Sequence, residues 1–243
     1  MCGAGVAYDG GDAEDGKGIN QITEKGILLC DHGRKRNPGK GSIPGQFFLW
    51  NDAVETVSYD PEEAKKLLEE SGWTDTDGDG YVDKDGQKLT INWLTYPTRL
   101  EQPKLAEYAQ ATLKEIGIDV SVNNTSDHRT YAENGEFDVY VSSLTTAPTG
   151  DPEYFFSSTV TGSKNYGNYQ NDEVTKLTEQ LHQTFDTDER GKLAVELQQK
   201  ILDDDAYFFV SHLNMGIVTK ANVTGMAAHP CDYYEITADL DVQ

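Results

Sequence analysis

The order of the periodic segments between residues 88 and 142 restricts the fold more than any other feature of the sequence. Three stretches alternate apolar and polar side chains, as half-buried strands do, and the stretches between them favour helices. In chain order these are a strand at 88–95, a helix at 101–116, a strand at 118–122, a short helix at 127–134 and a strand at 137–142. Strands separated by helices form parallel βαβ units with right-handed crossovers, so the sequence predicts an α/β fold.

Capping signals and apolar runs extend this pattern on both sides. Asp60 can cap a helix that begins at Pro61 and ends at Gly72, because its carboxylate can accept from free backbone N–H groups and proline suits the first turn. Further along the chain, helices are predicted at 172–184 and 188–203, and strands that return to the sheet at 206–213 and 216–219. The predicted sheet is mixed.

The first 40 residues differ in composition from the rest of the chain. Gly and Asp are frequent in residues 1–18, a small basic cluster lies at 32–40, and a short apolar run lies at 26–30. None of these patterns is long enough to indicate a helix. Residues 1–40 are therefore predicted to be an irregular or non-native N-terminal segment.

The charge balance excludes several classes of partner. The chain of 243 residues has 42 acidic and 20 basic side chains, which give a formal net charge of −22. Such a surface repels phosphate backbones and anionic lipid heads, so nucleic-acid binding is not expected. No run approaches the ~20 apolar residues that a membrane span needs. The cysteines, Cys2, Cys30 and Cys231, lack the short spacing of zinc or redox motifs.

An Asp/Gly-rich loop after the first helix has the ligand spacing of a calcium loop. Its candidate oxygen ligands are Asp75, Asp77, Asp79, the backbone carbonyl of Tyr81, and Asp83. Alternate oxygen ligands with a glycine in sixth place suit Ca²⁺, but Gly86 occupies the last place, where a bidentate Glu normally completes the shell. The alternative is a solvated turn, in which Asp and Gly serve turn geometry.

The loop that follows the strand at 88–95 carries two candidate binding residues. Ligands of open α/β sheets bind outside the carboxyl ends of the strands, and Tyr96 and Arg99 come directly after such an end. An arginine suits a carboxylate partner on a ligand. The alternative is a surface Arg99 that pairs with Glu101.

A second loop follows the strand at 137–142 and contains Asp151 and Tyr154. An aspartate at this position could pair with an ammonium group of a ligand. Alternatively, Asp151 and Pro152 start a helix, with aspartate as the cap and proline in the first turn. The local sequence leaves both interpretations open.

Histidine and cysteine side chains towards the C-terminus are the remaining candidates. His182, His212, His229 and Cys231 could hold a transition metal, although no family spacing rule supports that set. A single histidine in a strand, such as His212, is more often a hydrogen-bonded core residue. Neither a nucleophile elbow nor a phosphate-binding glycine loop is present, so the sequence predicts no enzyme.

Several segments together match one known pattern. They are Tyr59–Leu68 followed by Gly72 and Trp73, the loop at 75–86, the Leu-Lys-Glu-Ile-Gly-Ile run at 113–118, Phe137–Tyr140 with Gly150, Asp151 and Pro152, and Tyr166–Tyr169. In combination they resemble the bacterial extracellular solute-binding proteins of family 5, the nickel-, peptide- and opine-binding components of ABC importers. The agreement runs from about residue 41 to the C-terminus.

The resemblance implies a type II periplasmic-binding-protein fold, of which residues 41–243 form one lobe, the C-terminal one. Family members are longer, so the chain is expected to be a fragment that binds a small solute, a nickel chelate or a short peptide, for an ABC permease. The implied ligand-binding residues are Asp151, Tyr96, Arg99, His212, Tyr154 and His229. A calcium-binding structural or adhesion module built on Asp75–Asp83 is the alternative function.

The resemblance also implies a location. Full-length relatives are extracytoplasmic, either periplasmic or held at the cell surface as lipoproteins, so a lipid anchor is the expected membrane contact. Cys2, followed by a Gly/Asp-rich stretch, resembles a lipidated start. No charged-then-apolar leader precedes it, so this chain is expected to lack a signal peptide.

Overall fold

The computed structural model of the chain describes residues 2–8, 37–38, 54–55, 59–145, 147, 150–212, 218–226 and 237–243. Its strands are β1 (Cys2–Tyr8), β2 (Asn37–Pro38), β3 (Asp83–Lys84), β4 (Gln87–Lys88), β5 (Thr90–Thr95), β6 (Asp119–Asn124), β7 (Val139–Thr145), β8 (Tyr207–His212), β9 (Val223–Thr224) and β10 (Asp241–Val242). Its helices are α1 (Pro61–Glu70), α2 (Glu101–Lys114), α3 (His128–Glu133), α4 (Glu153–Phe155), α5 (Asp172–Gln183) and α6 (Thr187–Asp203), with a π-helical turn, Phe156–Val160, directly after α4.

Six of the described strands form a mixed central sheet in the order β2-β8-β1-β7-β5-β6, and the pairs β3-β4 and β9-β10 form two small separate sheets. Strand β5 pairs in parallel with β6 on one side and with β7 on the other, whereas β1 is antiparallel to both β7 and β8. The predicted α/β fold with βαβ units in a mixed sheet is confirmed. Since β8 is antiparallel to β1, it runs in the same direction as β5, β6 and β7. The carboxyl ends of these strands therefore lie at one edge of the sheet, which we call the carboxyl edge.

Helices α1 and α2 cover one face of the sheet. Ile91 and Trp93 of β5 are 0% and 2% exposed and form a buried cluster with Leu113 of α2. Asn92, which lies between them in the strand, is exposed. Burying apolar side chains of this size stabilises the fold by about 1.5–3 kcal/mol each. The alternation that predicted the strand thus also fixes the side on which the helices pack.

Helices α3, α5 and α6 cover the opposite face. Tyr207 and Phe209 of β8 form a buried cluster with Leu197 and Ile201 of α6. A smaller cluster beside α3 contains Tyr140 of β7. The sheet is consequently the middle layer of a three-layer α/β/α arrangement, which accounts for strands that are buried on both faces.

Strand β1 lies within residues 1–40, a segment that the sequence predicts to be irregular. Cys2–Tyr8 lies between β7 and β8, and Val6 is paired with Val141 on one side and Phe208 on the other. This strand consists mainly of glycine and alanine, which have low strand propensity, so the sequence carries no strand signal there. The short β2 also lies in this segment. The boundary at residue 40 stays a prediction.

The predicted strand at 216–219 is not observed in its described part. Val218 and Thr219 have no regular structure, and Val218 is 97% exposed. Residues 216 and 217 lie outside the described residues. The short strands β9 and β10 follow and pair with each other. Across the described ranges, no helix combines the length and the apolar composition of a membrane-crossing segment.

Gly117 ends α2 in a left-handed conformation, with φ at +82°. The N–H groups of Gly117 and Ile118 donate to carbonyls in the last turn of the helix, which would otherwise lack partners. The Gly117 carbonyl accepts from Val82 N at 2.7 Å and so connects α2 to the Asp/Gly-rich loop. A Cβ atom on Gly117 would lie 3.0 Å from Val82 Cγ1 and 3.3 Å from Val82 N.

We expect Gly117→Ala to lower the free energy of unfolding by about 2 kcal/mol or more, because it combines the left-handed strain with the contact against Val82. The matched control is Gly78→Ala, since Gly78 has a φ of +80° but no atom within 4 Å of the position that a Cβ would occupy. The control should lose only about 1 kcal/mol. Urea unfolding measures both variants, and equal losses would contradict the role assigned to the Val82 contact.

Candidate functional site

The carboxyl edge brings together loops that are far apart in the sequence. Ligands of open α/β sheets bind outside this end of the strands. Tyr96 directly follows β5, His128 begins α3 shortly after β6, and His212 is the last residue of β8. The structure therefore places two of the predicted ligand-binding residues, Tyr96 and His212, at this edge. The side chain of His212 and all of His229 and Cys231 lie outside the described residues.

An aromatic cluster, formed by Tyr96, His128, Phe137, Tyr140 and Tyr166, lies beside the carboxyl ends of β5 and β6, at the level where β7 begins. The His128 ring stacks on the Tyr96 ring with a centroid distance of 4.1 Å and an interplanar angle of 22°. His128 Nδ1 lies 2.6 Å from the Tyr140 hydroxyl. Tyr140 in turn contacts the rings of Phe137 and Tyr166 at 5.7 and 5.9 Å. Each ring of the cluster therefore packs against at least one other ring of the cluster.

His128 is the member of this cluster that the sequence analysis missed. Tyr96, which was predicted to line a cleft, is only 7% exposed, whereas the stacked His128 is half-buried. The signal was available in the sequence, because His128 comes shortly after the carboxyl end of a predicted strand. The sequence pattern by itself predicts only a short helix at 127–134 that includes His128. The structure shows that this helix starts with its histidine at the edge.

The protonation states within the cluster follow from burial. Burial raises the pKa of the Tyr140 hydroxyl to about 12, so this group keeps its proton at pH 7. Burial lowers the pKa of His128 from an ordinary value of about 6.5, and the nearby Arg129 guanidinium lowers it further. His128 is therefore a neutral imidazole at pH 7.

A polar network fixes the position of Tyr96. The Tyr96 hydroxyl accepts from Ser143 N at 3.1 Å, and Ser143 Oγ accepts from the fully buried Gln102 at 2.7 Å. Ser143 Oγ also donates to Glu101 Oε1 at 3.3 Å. Within the described ranges, Arg99 forms no ion pair with Glu101, which was the alternative for this arginine. Arg99, a half-buried residue, stays a candidate for binding a carboxylate.

Asp151 lies in a bidentate ion pair with Arg190, whose side chain is only 12% exposed. Arg190 donates from Nη2 to Asp151 Oδ1 at 2.6 Å and from Nε to Asp151 Oδ2 at 3.0 Å. Asp151 Oδ1 also accepts from Glu153 N at 2.9 Å, so Asp151 assists the start of α4. Arg190 further donates to the carbonyls of Leu181 and Thr184 at the end of α5. The predicted pairing of Asp151 with a ligand amine stays a prediction, and it has to compete with Arg190.

We expect Arg190→Lys to lower the free energy of unfolding by about 2 kcal/mol, because lysine keeps the charge but cannot make the bidentate pair and the carbonyl contacts together. Lys192→Ala on the same helix is the control, since Lys192 forms an exposed pair with Glu189 and should change stability by about 0.5 kcal/mol or less. Chemical denaturation measures both. Similar values for the two variants would contradict a structural role of the Asp151–Arg190 pair.

Two further candidates, Tyr154 and His182, also have neighbouring partners. Lys164 Nζ donates to the Tyr154 hydroxyl at 3.0 Å and lies 5.3 Å from the centre of its ring. His182 Nδ1 lies 2.6 Å from Glu153 Oε1. Burial would raise the pKa of Glu153, but hydrogen bonds from His182 and Arg190 outweigh it and lower that pKa. His182 is thus hydrogen-bonded to an ionised carboxylate at pH 7.

The Asp/Gly-rich loop has the hydrogen bonds of a turn. Asp75 accepts from the N–H groups of Gly78 and Gly80, and Asp83 accepts from both the N–H and the hydroxyl of Thr76. Ligand atoms of Asp75, Asp77 and Asp83 lie within 4.8 Å of one another, whereas Asp79 does not belong to this group.

Lys88 accounts for the position of Asp79. Its Nζ lies 2.7 Å from Asp79 Oδ2 and 4.1 Å from the centre of the Tyr81 ring. The hydrogen bond from Lys88 lowers the pKa of Asp79, so this carboxylate is ionised and paired. An ion in the loop would have to displace Lys88 to gain its fourth carboxylate. These contacts favour the solvated turn over the calcium loop.

We expect about 10 mM CaCl₂ to change the melting temperature by about 1 °C or less, because a site with a Kd of about 0.1 mM would instead stabilise the chain by about 2.7 kcal/mol at that concentration. The control is MgCl₂ at the same concentration, which matches the ionic strength. A calcium-specific rise of about 5 °C or more that Asp75→Asn abolishes would contradict the turn interpretation.

A separate polar cavity of about 340 Å³ lies at the start of α5. Its amide side chains bond to the surrounding chain: Asn165 Nδ2 donates to the Tyr169 carbonyl at 2.7 Å, and Asn171 Oδ1 accepts from Glu173 N and Val174 N. Asn171 Nδ2 also donates to a carboxylate on the loop after α6. These groups shape the start of the helix, so the cavity is a weaker candidate than the carboxyl edge.

Comparison with known proteins gives one consistent family. The family described as "Bacterial extracellular solute-binding proteins, family 5 Middle" matches residues 32–167. The oligopeptide-binding protein AppA of Bacillus subtilis is 32% identical over 205 residues, which are 80% of this chain and 38% of AppA. The nickel-binding periplasmic protein of Escherichia coli is 28% identical over 189 residues, which are 74% of this chain and 36% of that protein.

Solved structures agree on the fold. The structure of Bacillus subtilis AppA in complex with a nonapeptide aligns with a TM-score of 0.80 and 23% identity, covering 95% of this chain and 48% of AppA. NikA from Staphylococcus aureus in complex with Ni(L-His)2 aligns with a TM-score of 0.79 and 21% identity, covering 100% of this chain and 51% of NikA. The chain thus spans about half the length of each of these structures.

Proposed function

Because the chain belongs to the bacterial extracellular solute-binding proteins of family 5, we propose that it forms one lobe of the solute-binding component of an ABC importer. Such a component holds a small solute outside the membrane and delivers it to the permease. The names of the similar proteins refer to oligopeptides and to nickel. We propose a short peptide or a nickel chelate as the solute.

The carboxyl edge is the part of the chain that supports this proposal most strongly. Solute sites combine apolar walls with a few polar groups that fix orientation. The stacked Tyr96 and His128 rings provide such a wall. Arg99, three residues beyond Tyr96, supplies a cation with no ion-pair partner among the described residues, and a guanidinium suits a carboxylate of a peptide or an organic chelator.

One lobe alone provides only part of the contact that a tight site needs. Pockets that bind small ligands tightly bury about 70–90% of the ligand surface. The sequence match covers 38% of AppA, and in the proposed arrangement a second lobe faces the carboxyl edge. Closure by a second lobe would supply the remaining contacts. The chain by itself should bind its solute weakly.

The proposal implies an extracytoplasmic location, in the periplasm or at the cell surface through a lipid anchor. It contains no catalytic step, in agreement with the named relatives, which are binding proteins. Asp151, Tyr154, His212 and His229 keep their predicted places in the cleft as part of this proposal.

We expect about 20 mM glycylglycine, a concentration above a millimolar Kd, to shift backbone amide signals of residues 96, 98, 99 and 125–129 in ¹H–¹⁵N NMR spectra. A nickel–histidine complex should broaden the same signals if the chelate is the preferred solute. Arg99→Ala should reduce the shifts about tenfold at a subsaturating concentration, because it removes the carboxylate partner. Lys192→Ala is the control.

Three results would contradict the proposal. Shifts confined to the Asp/Gly-rich loop, or no shifts with either solute, would show that the carboxyl edge is not the binding surface. A micromolar Kd for the chain alone, measured by calorimetry, would show that it carries a complete site and is not one lobe of a clamp.

A further inference from the structure

The orientation of the His128 ring is fixed by two contacts on different parts of the ring. Its face stacks on Tyr96 at 4.1 Å between centroids, and its Nδ1 lies 2.6 Å from the Tyr140 hydroxyl. Tyr96 is itself held by the N–H of Ser143, and Tyr140 is 4% exposed. The imidazole can therefore neither tilt away from Tyr96 nor flip without losing the hydrogen bond to a buried hydroxyl.

The direction of the hydrogen bond between His128 and Tyr140 determines the tautomer. Either Nδ1–H donates to the hydroxyl, or the hydroxyl donates to an unprotonated Nδ1. A buried hydroxyl proton needs an acceptor. The hydrogen-bonded contact that the structure shows for the Tyr140 hydroxyl is with His128 Nδ1, at 2.6 Å, and a tyrosine hydroxyl can donate to the lone pair of a neutral imidazole nitrogen. The Tyr140 hydroxyl consequently donates to Nδ1.

The second ring nitrogen then carries the hydrogen. A neutral imidazole has one N–H group, so an acceptor Nδ1 implies Nε2–H. Nε2 is on the other side of the ring from the Tyr140 contact, on a residue that is half-buried at the carboxyl edge. No partner of Nε2 occurs in the part of the chain that the structure describes. The edge thus presents an oriented hydrogen-bond donor.

The surroundings favour an anionic oxygen as its partner. Arg129 is adjacent in sequence and close enough to lower the pKa of His128. Arg99 follows β5, the parallel neighbour of the strand that precedes His128. The chain as a whole has a net charge of −22. The guanidinium groups of Arg99 and Arg129, which follow the neighbouring strands β5 and β6, are a local exception to this acidic character. A metal ion would need the Nε2 lone pair, which the tautomer does not offer.

From this geometry we infer that His128 is a ligand-binding residue that donates a hydrogen bond from Nε2 to a carboxylate oxygen of the solute. The inference rests on the proposed function and names the chemistry that this site recognises. A peptide C-terminus and an amino-acid chelator of nickel both carry such a carboxylate. Tyr96 and Tyr140 are the positioning residues, since each acts on the solute through the His128 ring.

The tautomer can be tested without any ligand. Long-range ¹H–¹⁵N NMR of the imidazole nitrogens should show His128 neutral at pH 7 in the Nε2–H form. Tyr140→Phe, which removes the hydroxyl donor but keeps the ring, should increase the fraction of the Nδ1–H form. Finding the Nδ1–H form in the wild-type chain would overturn the inference, whatever the chain binds.

The binding role is tested with glycylglycine as the probe. His128→Leu, which keeps an apolar side chain but loses the donor, should weaken binding about tenfold, as the loss of one hydrogen bond to a charged group does. His128→Gln, whose amide retains an N–H donor, should bind within about threefold of the wild type. Lys192→Ala on α6, which removes only an exposed pair with Glu189, is the control. The melting temperature of each variant verifies that it is folded.

The outcomes separate the inference from the proposed function. If glycylglycine shifts residues 96, 98 and 99 and His128→Leu binds as tightly as the wild type, the inference is wrong and the proposed function stands. If glycylglycinamide, which has an amide in place of the C-terminal carboxylate of glycylglycine, binds as well as glycylglycine, the assigned ligand chemistry is wrong. If no residue at the carboxyl edge responds to glycylglycine, both fail.

Discussion

The parallel pairing of β5 with β6 and β7 is the constraint on which the rest of the structure depends. It requires a crossover helix between consecutive strands, and these crossovers place α2 on one face of the sheet and α3 on the other. It also brings all the strand-ending loops to one edge. Because β7 begins level with the carboxyl end of β5, Tyr96 after β5 and Tyr140 at the start of β7 contact the same histidine ring. The candidate site is thus a consequence of strand direction.

Much of the fold could be predicted from local sequence patterns. Asp60 caps α1 through a hydrogen bond to Glu63 N, Gly117 ends α2, and Ile91 and Trp93 face the core, all as the patterns indicated. These features depend on residues within one or two turns of one another. Strand β1 could not be predicted in this way. Its glycines and alanines become a strand only because β7 and β8 offer hydrogen-bond partners on both sides.

The candidate site was less predictable, because its contacts join residues far apart in sequence. Asp151 was recognised as a charged residue in a suitable loop, but its partner Arg190 lies 39 positions away and nothing local indicates the pair. The position of His128 after a predicted strand end was visible in the sequence, but its contacts with Tyr96, after β5, and Tyr140, in β7, are not local. Asp79 fits the spacing of a calcium loop in the sequence. In the structure it forms an ion pair with Lys88 of β4 instead.

The central claim is that the carboxyl edge of the parallel strands forms one wall of a solute cleft. The most direct measurement is a crystal structure of a chain with both lobes and bound solute. We expect the solute to lie against the stacked rings of Tyr96 and His128, with a carboxylate oxygen within hydrogen-bond distance of His128 Nε2. A solute bound at the opposite edge of the sheet, or on the outer surface of the helices, would contradict this claim.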